Sequence, residues 1–88
     1  MKNKFSTTDL GLSAWILATR GLRLISVERV PDQYRNIATF IFDDPSAVGD
    51  DLQAAYYSGE GVTSALAFFT QLRHLKRKVH SVVSSEAR

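Results

Sequence analysis

Two β-rich runs joined by a short polar link constrain this chain more than any other feature. Leu22 to Val30 is aliphatic and β-branched and holds neither Gly nor Pro, and Ile37 to Phe42 (Ile-Ala-Thr-Phe-Ile-Phe) is the strongest strand signal present. Pro31-Asp32-Gln33-Tyr34-Arg35-Asn36 between them is polar and turn-rich. So short a link forces the two strands to pair antiparallel. Successive side chains alternate, so Ala38, Phe40 and Phe42 point one way and Ile37, Thr39 and Ile41 the other. In the first run Leu22 and Leu24 oppose Ile25 and Val27. Both faces then carry large apolar groups. A two-stranded ribbon does not stand alone in water, and both faces are expected to be covered.

Three helical patterns are available as cover. In Phe5-Ser6-Thr7-Thr8-Asp9-Leu10, Ser6 suits the N-cap, Asp9 the third helical position of a capping box, and Phe5 and Leu10 a hydrophobic staple. Leu10, Ala14 and Leu17, with Trp15 and Ala18, form the stripe, and Gly21 follows as a helix-ending residue, so the spacing predicts a helix over about 7–20. Asp44-Pro45 reads as a cap followed by proline at the first helical position, with Val48, Leu52, Ala55 and Tyr56 as the stripe and Ser58-Gly59 as the end. Thr63 or Ser64 caps the third helix. Its Phe68, Leu72, Leu75, Val79 and Val82 follow a 4-3-4-3 spacing, a narrow seam. Twenty residues of it would be ~30 Å long, long enough for its basic end to project past a small core. The expectation is therefore one α+β domain over 1–88, of order α-β-β-α-α. An antiparallel two-stranded hairpin packs with three helices, the core lies at about 5–83, and 1–4 and 84–88 fray.

The same pieces, in the same order, carry a resemblance. Ser6-Thr7-Thr8-Asp9-Leu10, Gly21, the strand ending in Glu28-Arg29, Phe40-Ile41-Phe42, Tyr56-Tyr57-Ser58-Gly59 and Leu72-Arg73-His74-Leu75-Lys76-Arg77 resemble a small uncharacterised family of phage, bacterial and archaeal proteins. That family shows a Ser-Thr-x-Asp-Leu helix, a Phe-x-Phe strand and a final Leu-Lys-Arg helix. The match spans about residues 5–83. The loop from Pro31 to Asn36 is longer than the tight turn of the family. The resemblance implies the fold and a phage or mobile-element setting, and it implies no activity.

Composition excludes several classes of function. At 88 residues there is room for one domain, and 44% apolar with 23% charged is globular rather than disordered. There is no cysteine, hence no disulfide and no thiolate metal site. No apolar run reaches the ~20 residues of a membrane span. Met1-Lys2-Asn3-Lys4-Phe5 leads into Ser-Thr-Thr-Asp rather than an apolar segment, so a cytoplasmic protein is expected. No Gly-x-Ser-x-Gly elbow, phosphate loop or dinucleotide fingerprint occurs. Pro31-Asp32 is followed by no Asp/Glu-x-Lys of a nuclease. The expectation is a binding protein without catalysis and without cofactor.

Charge is the remaining signal. Residues 43–60 hold Asp43, Asp44, Asp50, Asp51 and Glu60 with no Lys or Arg, whereas 73–80 hold Arg73, His74, Lys76, Arg77, Lys78 and His80 with no acid. The four aspartates could be read as a divalent-metal cluster. Asp43 and Asp44 fit better as caps of the second helix, and Asp50 and Asp51 as its solvated face. His74 and His80 are six apart, which is not the spacing of zinc ligands on one helix face. On a helix, Arg73, Lys76, Arg77 and His80 share one flank and Lys78 sits on another. Such a stripe can neutralise phosphates. No aromatic is interleaved in it, so no base-stacking platform is expected. Basic residues at a helix C-terminus would equally complement the macrodipole.

Three readings follow. In the first, Arg73, Lys76, Arg77, Lys78 and His80 bind nucleic acid. In the second, the chain is a regulator that binds a host or viral protein. Contacts would then come from the acidic segment (Asp50, Asp51) and from Tyr57, which diverges from Tyr56 by ~100° and stays exposed. The third is compatible with either and makes the chain a homodimer, paired through an uncovered sheet face or the Phe68–Val82 seam.

Overall fold

Phe40 and Phe42 organise the sheet. Both are fully buried, on the face of their strand that the alternation marks as apolar. The structure, a computed structural model, describes residues 3–31 and 36–86. The turn expected within the Pro31–Asn36 link has its tip, residues 32–35, outside the described residues. The elements are β1 (Lys4–Thr7), α1 (Leu10–Thr19), β2 (Arg23–Pro31), β3 (Asn36–Asp43), α2 (Gly49–Tyr57) and α3 (Ala65–Glu86). The three strands form one antiparallel sheet of order β1-β3-β2. The order is thus β-α-β-β-α-α, and the expected two-stranded hairpin is the larger part of a three-stranded sheet.

The added strand overturns the expected start of the first helix. Lys4–Thr7 alternates exposed and buried positions and pairs along β3 with Phe5 opposite Phe42. Ser6 is therefore a strand residue and not a cap, and Phe5 is a core residue and not half of a staple. A four-residue segment with one large apolar side chain has little strand signal of its own; its partner strand, distant in sequence, supplies it. Asp9 takes over as N-cap, with its Oδ1 accepting from the Leu12 amide at 3.0 Å. α1 ends in a Schellman turn in which Arg20, not Gly21, is left-handed (φ 59°). The Gly21 amide donates to the Ile16 carbonyl and the Arg20 amide to that of Leu17.

A bulge removes the problem of two apolar faces. The register shifts between Leu24 and Ser26, so Leu24 lies opposite Phe42 and Val27 opposite Phe40. Leu24 and Val27 therefore share the core face, and Ile25 is pushed out, 45% exposed. Opposite Ile41 stand Ser6 and Ser26, opposite Thr39 stands Glu28, and opposite Asp43 stand Lys4 and Arg23. Arg23 Nη2 lies 3.5 Å from Asp43 Oδ2. On the second face the central line of Ile37, Thr39, Ile41 and Asp43 is half-buried. The phase change at Ile25 puts Leu24 and Val27 on one face, which strict alternation had set on opposite ones.

The core lies between the other sheet face and the helices, where Phe5, Leu12, Ala14, Trp15, Ile16, Phe40, Phe42 and Leu75 form one buried cluster. α1 is buried along Leu12 to Ile16 because α2 and α3 both pack on it. Ser13 within that run is satisfied by donating to the Asp9 carbonyl at 2.9 Å. Trp15 lies under the backbone at Gly61, where a Cβ would come within 2.7 Å of the indole.

α2 begins five residues after Asp44 rather than directly at Pro45. Asp44 to Ala47 makes a turn closed by the Ala47 amide on the Asp44 carbonyl, with Ala47 left-handed (φ 56°). Asp44, only 4% exposed, still caps the helix, accepting from Val48 and Gly49 amides at 2.8 and 2.7 Å. Asp43 does not cap, being the last residue of β3. Gly49 lies so close to Phe5 that a Cβ there would collide with the ring.

α3 starts at the expected cap, Ser64, whose Oγ accepts from the Ala67 amide at 3.0 Å. It continues to Glu86, so 84–86, expected to fray, are helical, as Lys4 is strand. Its seam is packed inside the molecule. Leu75 is fully buried, and Phe68, Leu72 and Val79 pack against the core. This removes the seam as a surface for a second copy, and it keeps the basic segment riding on the core rather than projecting beyond it. No helix among the described residues is long and apolar enough to cross a membrane.

Candidate nucleic-acid interface

The buried seam dictates what α3 turns outward. At 100° per residue, Leu66, Phe69, Arg73, Lys76, Arg77 and His80 fall on the side away from Leu75. All six are exposed. Lys78 is also exposed but sits on the flank toward β2, where it lines a groove with Leu24 to Val27, Ser81 and Val82. The structure thus brings Arg73, Lys76, Arg77 and His80 into one solvent-facing stripe, with Lys78 beside it. Among the described residues, Arg73, Lys76, Arg77 and Lys78 make no ion pair; the described ion pair is Arg23–Asp43.

The position of the stripe within the helix matters. A role in complementing the macrodipole belongs to cations in the last turn. Because α3 runs on to Glu86, its last turn carries no basic residue, and the cations lie about two turns earlier. Arg73 and Arg77 are instead a like-charged pair at i, i+4, an arrangement that weakens a helix by ~0.2–0.5 kcal/mol. The dipole reading of these residues does not hold.

Sequence reasoning missed the N-terminal half of this face. Phe69 is 57% exposed, Leu66 is 76% exposed, and Val62 just before the helix is 85% exposed. Phe69 stands one turn ahead of Arg73 and lines a groove of about 290 Å³ with Leu72, Arg73 and Lys76. No aromatic is interleaved within Arg73–His80; Phe69 stands outside that stretch, one turn before it. The signal was in the wheel: Phe68 and Phe69 cannot both face Leu75, and the 4-3-4-3 seam already claims Phe68.

The residues proposed for protein contact lie elsewhere. Asp50 and Asp51 are exposed in the first turn of α2, where they favour the positive helix end. α2 packs toward β1 and α3 toward β2, so acidic and basic segments flank α1 on different sides. The Tyr57 ring is exposed, but its hydroxyl donates to Asp9 Oδ2. Asp9 therefore ties α2 to the start of α1. Partial burial pushes the Asp9 carboxyl up, but hydrogen bonds from Tyr57, Leu12 and Gly11 outweigh it and hold the group below the usual carboxylate value. The bond to Asp9, with minor help from partial burial and the Asp9 charge, pushes the Tyr57 phenol up. Tyr56 packs on Trp15 with ring centroids 5.7 Å apart and touches Tyr57 edge-on.

Among the described residues, no three His, Asp or Glu come together in a way that could hold a metal ion. Comparison of the chain with protein-family models, with curated proteins and with solved structures found no match.

Proposed function

We propose that this chain is a cytoplasmic, non-enzymatic binding protein that holds the phosphate backbone of a nucleic acid against the outer face of α3. The observation that carries the reading is the exposed stripe of Arg73, Lys76 and Arg77, free of carboxylate partners among the described residues and too far from the helix end to serve the dipole. Lys78 and His80 extend it. Contacts of this kind release counterions, so affinity falls with salt by a slope of ~0.7 per phosphate on a single strand and ~0.9 on a duplex. The phage or mobile-element setting rests on the sequence resemblance.

The test is fluorescence anisotropy with labelled single- and double-stranded DNA and RNA across a salt series. The wild type is compared with Lys76→Glu/Arg77→Glu. Both positions are exposed, so the fold survives, as read by the emission of buried Trp15, the sole tryptophan. The variant is expected to lose binding and to lower the slope by about 1.4 to 1.8, the share of two phosphates. Binding unchanged in the double variant, or none by the wild type at ~50 mM salt, where phosphate contacts are strong, refutes the reading. Exposed Val62 and Leu66 favour a second one, a regulator that docks on a host or viral protein. That reading requires a partner retained after nuclease treatment.

A further inference from the structure

Resting on the nucleic-acid reading, we infer that the strand bound by α3 is single-stranded, with one of its bases stacked on Phe69. Three of the grooves among the described residues can be compared. The one beside the β2 bulge holds a single cation, Lys78, and the one between Gly21 and Val48 is lined by both Asp43 and Asp44 beside one arginine, Arg23. The groove of Phe69, Leu72, Arg73 and Lys76 combines an aromatic ring, an aliphatic wall and two cations in about 290 Å³. That is the pairing of groups a single strand needs: a flat apolar surface for a base and positive charge for the phosphates next to it. A duplex offers the phosphates but keeps its base faces stacked inside, so an exposed ring reaches one only at the cost of unstacking a base step.

The ring is held ready. Phe69 meets Phe68 edge-to-face, centroids 5.8 Å apart and planes at 69°, and Phe68 is packed against the core. An aromatic side chain restrained before binding loses little freedom on stacking. Arg73 follows one turn along the same face and Arg77 the next, ~6 Å further along the axis. A strand leaving Phe69 therefore meets charge after charge in the direction of the helix C-terminus. The stripe fits a strand in which base contact comes at the N-terminal end of α3 and backbone contact follows.

The experiment measures binding of fluorescein-labelled oligothymidylate, oligouridylate and a hairpin duplex to wild type, Phe69→Leu, Phe69→Trp and Lys76→Glu/Arg77→Glu. Leucine keeps the apolar bulk without the ring; tryptophan keeps a ring. Phe69→Leu is expected to bind both single strands about 10- to 100-fold more weakly, the loss typical of one stacked base, with the salt slope unchanged. Phe69→Trp is expected to restore affinity and to show emission quenching on binding that the wild type, with only Trp15, lacks. Equal loss on thymidylate and uridylate assigns the stack to either nucleic acid, and loss on one alone identifies it. If Phe69→Leu binds as the wild type does while the charge double variant fails, the stacking inference falls and the basic stripe stands. If no probe binds the wild type, both fall. Duplex bound as tightly as single strand overturns the inference. So does light scattering that shows a wild-type dimer converted to monomer by Phe69→Leu, because the ring is then a subunit contact.

Discussion

Asp44→Ala tests whether a carboxylate set back from the start of a helix by a turn can act as its cap. Asp44 is almost fully buried and accepts from the Val48 and Gly49 amides. A hydrogen bond to a charged group contributes ~1.5–3 kcal/mol, and a buried amide left without an acceptor costs ~1–3 kcal/mol. Val48 is half-buried, so water can take over its amide, whereas Gly49 is buried and stays dry. The loss should therefore come mainly from Gly49, with a smaller part from the dipole, for a total of about 3 kcal/mol. α2 has nine residues, too few to stay helical without its packing. Fraying would loosen Leu52, Ala55 and Tyr56 from the core. For a chain of this size, total stability is roughly 4–13 kcal/mol. The melting temperature should fall by about 12–24 °C, at ~4–8 °C per kcal/mol. Asp44→Asn keeps one acceptor and should lose about half as much. Urea unfolding followed by Trp15 emission and by far-ultraviolet circular dichroism gives both numbers. A loss below about 1 kcal/mol for Asp44→Ala, the size of an ordinary exposed cap, would show that the side chain does not carry the start of α2.

Two further expectations follow from the ends of α1. Arg20 is left-handed at the helix C-terminus, so Arg20→Gly should raise stability by about 1 kcal/mol in the same unfolding assay, the usual cost of a side chain in that conformation; a loss would mean that Arg20 makes a contact worth more than the strain. At the other end, the lowered Asp9 carboxyl contributes stability that is present above its unfolded value near pH 4 and lost as pH falls through the folded one, whereas the raised Tyr57 phenol contributes below about pH 10 and is lost as pH rises through its folded value. Phenolate absorbance should show a late titration step that vanishes in Tyr57→Phe, and Asp9→Asn should flatten the acid limb of the stability curve.

What could be read from the sequence was whatever rests on local pattern. The β2–β3 hairpin, the α3 seam, Ser64 as cap and the Ser58-Gly59 end of α2 all carry short-range signals, and all are present. β1 was hidden because Lys4–Thr7 becomes a strand through β3, which is distant in sequence, while Ser6 and Asp9 carry a genuine capping pattern that the helix uses three residues later. The bulge at Ile25 was hidden for a related reason. Alternation assigns faces only while the phase is kept, and no glycine marks the place where it slips. Phe69 was a matter of competition between neighbours: two adjacent aromatics cannot share one narrow seam, and the one left out becomes surface.

That last point bears on how α3 should be understood. A surface helix is most simply made stable and soluble by acid–base pairs one turn apart. From Ala65 to Ser85 this helix contains no acidic residue at all, while it holds Arg73, His74, Lys76, Arg77, Lys78 and His80. Packing against the core explains Phe68, Leu72, Leu75 and Val79, and it explains none of the outward cations. The macrodipole explains cations in the final turn, where there are none. Repulsion between neighbours one turn apart works against the helix, and an exposed Phe next to them adds nothing to the core. A face that helps neither fold nor helix, yet sets an aromatic ring beside Arg73, Lys76 and Arg77, which have no carboxylate partner among the described residues, is the observation on which the proposed nucleic-acid reading rests.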